Sequence, residues 1–156
     1  AEQMKRLAEQ SLNETRNAVK ALKEEEASGM QALLRLVRNL EVESYLQIDF
    51  NIRHGALSVM LNNDQSIAVY RAIQEALTNA MRYGSSRNVK ILLEAPGGRL
   101  FRFEIVNDTE GQASGSFKEG FGLTAMRERI EKAGGTLDIM LMNQQFVVRG
   151  SFLLEA

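Results

Sequence analysis

The sequence contains no cysteine, no tryptophan, one proline and one histidine in 156 residues, and neither sign of charge prevails: 19 Lys and Arg stand against 20 Asp and Glu, for a formal net charge of −1. Each shortage excludes a class of chemistry. Without cysteine there is no disulfide framework, no thiolate zinc site and no cysteine nucleophile, a composition that fits the cytosol. A single histidine, His54, rules out a multi-histidine metal site and argues against a Ser/His/Asp triad. The balanced charge, with no Lys/Arg run, gives no basis for contact with nucleic acid or with an anionic membrane. No stretch approaches the roughly 18 uninterrupted apolar residues of a membrane span. The opening AEQMKRLAEQ is charged and helical, unlike a secretory leader. These features suggest a soluble piece of a longer protein, starting in mid-helix, whose parent is free to be membrane-anchored.

What is present divides into two parts. Residues 1–26 hold eleven charged residues and no Gly or Pro, with Met4, Leu7, Ser11, Thr15, Ala18 and Leu22 at spacings of three and four. That pattern predicts a long helix with a narrow apolar stripe, which would pack on another helix or on a second copy of itself. Residues 27–156 read as a compact domain. Met30, Leu33, Leu34, Val37 and Leu40 mark a helix to about residue 42, and YLQIDFNIR (45–53) alternates as a strand ended by His54-Gly55. The clearest helix runs from about Asn63 to Met81, with Asn62, Asn63 or Asp64 available as its cap and Gly84 as its stop. Its core stripe is Ile67, Tyr70, Ile73, Leu77 and Ala80. NVKILLEA (88–95) and LFRFEIV (100–106) flank the turn Pro96-Gly97-Gly98 as a hairpin, and a loop occupies 108–120. A helix from about Leu123 to Ala133 follows, then strands at 136–142 and 146–154. The predicted fold class is α+β, with helices packed on one face of a mostly antiparallel sheet.

Two places carry chemistry. Arg71, Glu75, Asn79 and Arg82 are spaced four, four and three, so they form one row opposite the apolar stripe of their helix. An amide oxygen is a hard ligand suited to Mg²⁺, a Glu one turn earlier can orient or deprotonate a nucleophile, and an Arg one turn later can meet phosphate. An ordinary solvated helix face has the same pattern. The second place is NDTEGQASGSFKEGFG (107–122), which leaves a strand and enters a helix through Gly120-Phe121-Gly122. Glycines let backbone N–H groups approach a ligand and a helix N-terminus favours anions, so this is a candidate phosphate cradle, or else a connector whose glycines only make turns. Gly120-Phe121-Gly122-Leu123-Thr124-Ala125 imitates a dinucleotide fingerprint but lacks the immediately preceding strand that such a motif requires. His54, beside a turn glycine, reads as a bystander.

Taken in order, QEALTNAMRYG (74–84), IVNDTEG (105–111) and GFGLTAMRERI (120–130) resemble the Asn-box and the two glycine boxes of the ATP-binding domain of bacterial sensor histidine kinases. The Glu within the Asn-box, the short lid and the Met-Arg-Glu-Arg run are similar to the subgroup of the nitrate-sensor and desaturase-thermosensor kinases. SLNETRNAVKAL (11–22) resembles the end of that subgroup's second dimerisation helix. The resemblance implies the Bergerat fold, a helical layer on a mixed sheet, in residues 27–156, and a partial dimerisation helix in 1–26. It implies ATP and Mg²⁺ as cofactors, with the γ-phosphoryl passing to a histidine and then to a response regulator with a helix-turn-helix output. A homodimeric parent is implied as well.

Carried over residue by residue, Asn79 would hold Mg²⁺ against the phosphates and Glu75 would polarise the attacking group. Asn107 would read the adenine amino group, while Gly111, Gly120 and Gly122, with Leu123 beside them, would shape the nucleotide lid. Arg82 and Tyr83 would lie near the phosphates or the ribose. Three positions depart from the family. Asn107 stands where Asp is usual, which exchanges a charge-assisted bond for a neutral one at a cost of about 1 kcal/mol. Thr109 replaces a glycine, so a positive φ there would strain the backbone. Gln144-Gln145 replaces a Gly-Thr pair. The family's phosphorylated histidine would lie upstream of Ala1. Two alternatives carry through: an ATP hydrolase of the same fold with Glu75 activating water, and a degenerate, non-catalytic interaction module.

Overall fold

A computed structural model describes residues 29–53, 55–109 and 121–154. The long helix expected over 1–26, His54, Gly111 and Gly120 lie outside the described residues. Three helices and five strands follow in the order α1 (Gly29–Ser44), β1 (Gln47–Arg53), α2 (Asn63–Tyr83), β2 (Gly84–Glu94), β3 (Leu100–Thr109), α3 (Phe121–Lys132), β4 (Gly135–Met142) and β5 (Gln145–Leu153). Short 3₁₀ turns occupy Ala56–Ser58 and Pro96–Gly98. Among the described residues no helix is long and apolar enough to cross a membrane.

The strands form one sheet in the order β1-β2-β3-β5-β4. Every neighbouring pair is antiparallel except β1 with β2, so the sheet is mixed. The parallel pair follows from the connection: α2 carries the chain back from the end of β1 to the start of β2, as a parallel crossover requires. Alternation assigns the faces. Ile48, Val89, Ile91, Leu93, Phe101, Phe103, Ile105, Leu137, Phe146, Val148 and Phe152 are buried under the helices. The opposite face carries charged cross-strand neighbours, among them Arg102 paired with Glu94 at 2.5 Å and Arg149 with Glu104 at 2.7 Å.

The central helix α2 packs against α1, α3, β2 and β3, which explains a buried surface wider than its expected stripe. Tyr70, Ile73, Leu77 and Ala80 are buried as expected; Ser66, Ala68, Val69, Ala72 and Ala76 join them, and Ile67 is only partly buried. The alanines at 68, 72, 76 and 80 keep one side of the helix thin enough for close packing. Of the three candidate caps, Asn62 takes the role. Its side chain accepts from the Gln65 N–H at 2.8 Å, and the Gln65 side chain accepts from the Asn62 N–H at 3.1 Å, a reciprocal capping box.

Several expected boundaries move. Tyr45, read as strand, has φ 59 and turns the chain between α1 and β1. β2 begins at Gly84, four residues before the expected start, so α2 passes into a strand without a connector. β3 extends to Thr109 rather than yielding to a loop after 107, because Asn107 and Asp108 pair with Phe146 and Gln145 of β5. Thr109 therefore has extended backbone and not the positive φ that would have strained it. The left-handed positions belong instead to Asn143 and Gln144 (φ 50 and 62), a two-residue hairpin turn with the twist that adjacent strands favour.

Candidate functional site

Register and chain direction bring the candidate residues to one end of the sheet. Gly84, which follows α2 directly, pairs with Thr109 at the end of β3, and Asn107 lies opposite Val89. The C-terminal turns of α2, carrying Asn79, Arg82 and Tyr83, thus stand at the same edge as Asn107 and Thr109. α3 reaches this edge from the other side. Its C-terminus leads through Gly134 into Gly135, which pairs with Phe152 at the opposite end of the sheet. α2 and α3 pack together and run in opposite senses, so the N-terminus of α3 with Gly122 and Leu123 points toward the end where α2 finishes. The positive pole of a helix dipole is therefore directed there.

Asn107 sits on the helix-facing side of β3 and is only 4% exposed. Its Nδ2 donates to the Asp108 carbonyl at 3.3 Å. That bond orients the amide and leaves Oδ1 as an acceptor to which no described donor is bonded. Thr109 is also buried, and its backbone N–H donates to the Gln144 carbonyl at 2.8 Å. Its Oγ1 is buried with no hydrogen-bond partner. A buried hydroxyl left unpaired costs about 1–3 kcal/mol, and a ligand able to bond it removes that cost. Two neighbouring inward positions on β3 thus offer polar groups to whatever enters this end of the layer.

Glu75 and Asn79 are half-buried, whereas Arg82 and Tyr83 are exposed, Tyr83 at 68%. The row on α2 is therefore a partly sheltered strip that ends in open groups. Leu123 is buried with Met126 and Ile130 on the inward stripe of α3, so its contribution to a ligand would come through its backbone N–H. Arg127 fixes the other side of α3 by donating to the Leu137 carbonyl of β4 at 2.6 Å. The sequence reading missed Arg129. Burial and then the neighbouring Arg71 guanidinium lower its pKa from the usual arginine value, and the Glu75 carboxylate opposes them. Only the helix packing could reveal this, because Arg129 lies in a polar run far from the Asn-box. Gln145, one of the departures noted above, donates through Nε2 to Asp108 Oδ1 at 3.3 Å on the other face of the sheet.

Residues 64–151 match the family described as histidine kinase-, DNA gyrase B-, and HSP90-like ATPase. The chain is 33% identical over 132 residues to the sensor histidine kinase YxjM of Bacillus subtilis, covering 84% of this chain and 32% of that protein. It is 36% identical over 112 residues to the signal transduction histidine-protein kinase/phosphatase UhpB of Salmonella typhimurium, covering 70% of this chain and 21% of that one. The chain thus spans about a third or less of the length of these relatives. Among solved structures, the histidine kinase domain of the Erythrobacter litoralis EL346 blue-light activated kinase superposes with a TM-score of 0.71 at 17% identity, over 92% of this chain and 75% of that one. That likeness is one of fold.

Proposed function

The chain belongs to the histidine kinase-, DNA gyrase B- and HSP90-like ATPase family, and on that premise we propose that it is the catalytic, ATP-binding part of a sensor histidine kinase. In this reading residues 27–156 bind ATP with Mg²⁺. Residues 1–26 belong to a dimerisation helix of a homodimeric parent. The γ-phosphoryl goes to a histidine on a segment outside this sequence, then to an aspartate of a response regulator with a helix-turn-helix output. The assignment extends to a cytoplasmic location, with the parent free to be anchored in a membrane.

The convergence of the Asn79 row, Asn107 and the N-terminus of α3 at one end of the sheet is the observation that carries this reading. The residues fit a nucleotide. Asn107 Oδ1 is the acceptor for the adenine amino group, and the orphaned Thr109 Oγ1 beside it gains a partner when the pocket is filled. Asn79 Oδ1 serves as the hard oxygen ligand for Mg²⁺, which typically takes few protein ligands and completes its shell with phosphate and water. Mg²⁺ would supply charge neutralisation between the phosphates. The first N–H groups of α3, Gly122 among them, cradle phosphate oxygens, and Arg82 meets their charge. Tyr83, exposed at the end of α2, offers its ring edge or hydroxyl to the ribose. Glu75, one turn from Asn79, accepts from the ring N–H of the acceptor histidine and aligns its other nitrogen for attack. Phosphoryl transfer asks little more of a protein than positioning and charge stabilisation.

Calorimetry with a non-hydrolysable ATP analogue and Mg²⁺ tests the assignment. Binding in the micromolar to low-millimolar range is expected, and Asn79→Ala should weaken it by roughly tenfold or more, the loss of one charge-assisted ligand. No heat of binding at millimolar nucleotide would remove the reading.

A further inference from the structure

The inward face of β3 changes chemistry along its length. Phe101, Phe103 and Ile105 are apolar, Asn107 and Thr109 are polar, and all five are at most 8% exposed. Two buried polar side chains in succession are costly unless each finds a partner. Asn107 commits its donor to the Asp108 carbonyl at 3.3 Å and keeps Oδ1 as an acceptor. Thr109 is held by its backbone, whose N–H donates to the Gln144 carbonyl at 2.8 Å, and its β-branched side chain has few rotamers. Its Oγ1 is nonetheless buried without a hydrogen-bond partner. A Thr hydroxyl that serves only the fold commonly bonds a nearby backbone group, as Thr78 does in donating to the Gln74 carbonyl at 3.0 Å. Residues two apart on one face of a strand lie about 7 Å apart, and the edge of a planar base with a hydrogen bond at each end spans that distance. The pair therefore presents an acceptor and, beside it, a hydroxyl proton that is not already committed.

We propose that Thr109 is a base-reading residue: its Oγ1–H donates to a ring nitrogen of adenine that flanks the amino group, while Asn107 Oδ1 accepts from that amino group. The proposal rests on the nucleotide assignment above and adds to it the identity of the hydroxyl's partner. Adenine offers a donor beside an acceptor on either side of its amino group, with N1 on one edge and N7 on the other. Both nitrogens are neutral acceptors, so either completes the same pair of bonds. The second bond offsets what the neutral amide of Asn107 loses against a carboxylate.

The test measures Kd by calorimetry on the full-length protein, with Mg²⁺, for ADP, 1-deaza-ADP and 7-deaza-ADP, in which a C–H replaces N1 or N7. One of the two analogues should bind roughly five- to tenfold more weakly than ADP, as the loss of one neutral hydrogen bond requires, and which one it is identifies the edge that is read. Thr109→Val keeps the β-branched shape and removes the hydroxyl. It should weaken ADP by a similar factor and bind that analogue and ADP within about twofold of each other, while Thr109→Ser keeps the wild-type preference. The nucleotide-free melting temperature of Thr109→Val should equal or exceed that of the wild type, because an unpaired buried hydroxyl has been removed. Should ADP itself show no binding to the wild type, the nucleotide assignment falls and this proposal with it. If ADP binds and neither analogue is disfavoured, or if the preference persists unchanged in Thr109→Val, the hydroxyl does not touch the base and this proposal alone falls. A lower nucleotide-free melting temperature in Thr109→Val, with ADP affinity unchanged, assigns the hydroxyl to the fold and overturns it as well.

Discussion

At the scale of single residues, the site is marked by polar atoms left short of partners inside a packed layer. Asn107 illustrates the consequences. Its Nδ2 is committed to the Asp108 carbonyl, so the amide both satisfies the backbone and presents Oδ1. Asn107→Asp would exchange that arrangement for a carboxylate. A charge-assisted bond to the adenine amino group is about twice as strong as a neutral one, so ATP should bind up to roughly tenfold more tightly. The carboxylate loses the donor that served Asp108 and sits 4% exposed beside a carbonyl, so the nucleotide-free protein should lose about 1–3 kcal/mol. Calorimetry and a thermal melt without nucleotide would show these opposite changes in one variant. Much of this was legible in the sequence: the Asn-Asp-Thr run stands where the resemblance puts its first glycine box. What could not be read was the state of the backbone. Asn, Asp and Thr favour turns when alone, and pairing with Phe146 and Gln145 imposes extension on Asn107 and Asp108. Thr109 accordingly carries none of the strain that a missing glycine suggests.

At the scale of elements, α2 is the part of the fold most completely written in the sequence. Its capping signal, apolar period and glycine stop all agree, and the helix observed ends within two residues of the one expected. The reason for its stop is different from the usual one. Gly84 has ordinary extended dihedrals (φ −69, ψ 144), so conformational freedom is not what the position demands. A Cβ there would lie 2.4 Å from the Ala80 carbonyl oxygen. Gly84→Ala should therefore destabilise the domain by about 1–3 kcal/mol, as overpacking does, through a shift of helix end against strand. The melting temperature should fall, and nucleotide affinity should fall with it because Asn79 and Arg82 are displaced. A variant with unchanged melting temperature would show that the junction yields freely. The strand that follows was half hidden, since Gly84-Ser-Ser-Arg-Asn88 has a loop's composition and is held as a strand by Thr109 across a register shift. The partner of β1 was hidden altogether. Alternation reveals which face of a strand is buried, and says nothing of whether its neighbour runs parallel.

At the scale of the whole molecule, the fold separates its duties by position. One end of the sheet gathers the residues proposed to face the nucleotide, and the other holds the 3₁₀ turns and the junction of α3 with β4. A ligand that bridges α2, β3 and α3 at a single end ties together elements whose mutual contacts are side-chain packing, so binding should stabilise the domain as a unit. At a concentration of 100 Kd the gain is about 2.7 kcal/mol, and the melting temperature should rise by several degrees with Mg–ATP. The Asn79→Ala protein should show little of that rise. The direct passage of α2 into β2 has a mechanical meaning beyond sterics. With no connector to take up slack, a pull or twist along α2 is delivered to the sheet through one peptide bond, and β3 follows through its ladder. On the proposed assignment, the Asn79 and Asn107 sides of the site are thereby linked through Gly84 and its partner Thr109.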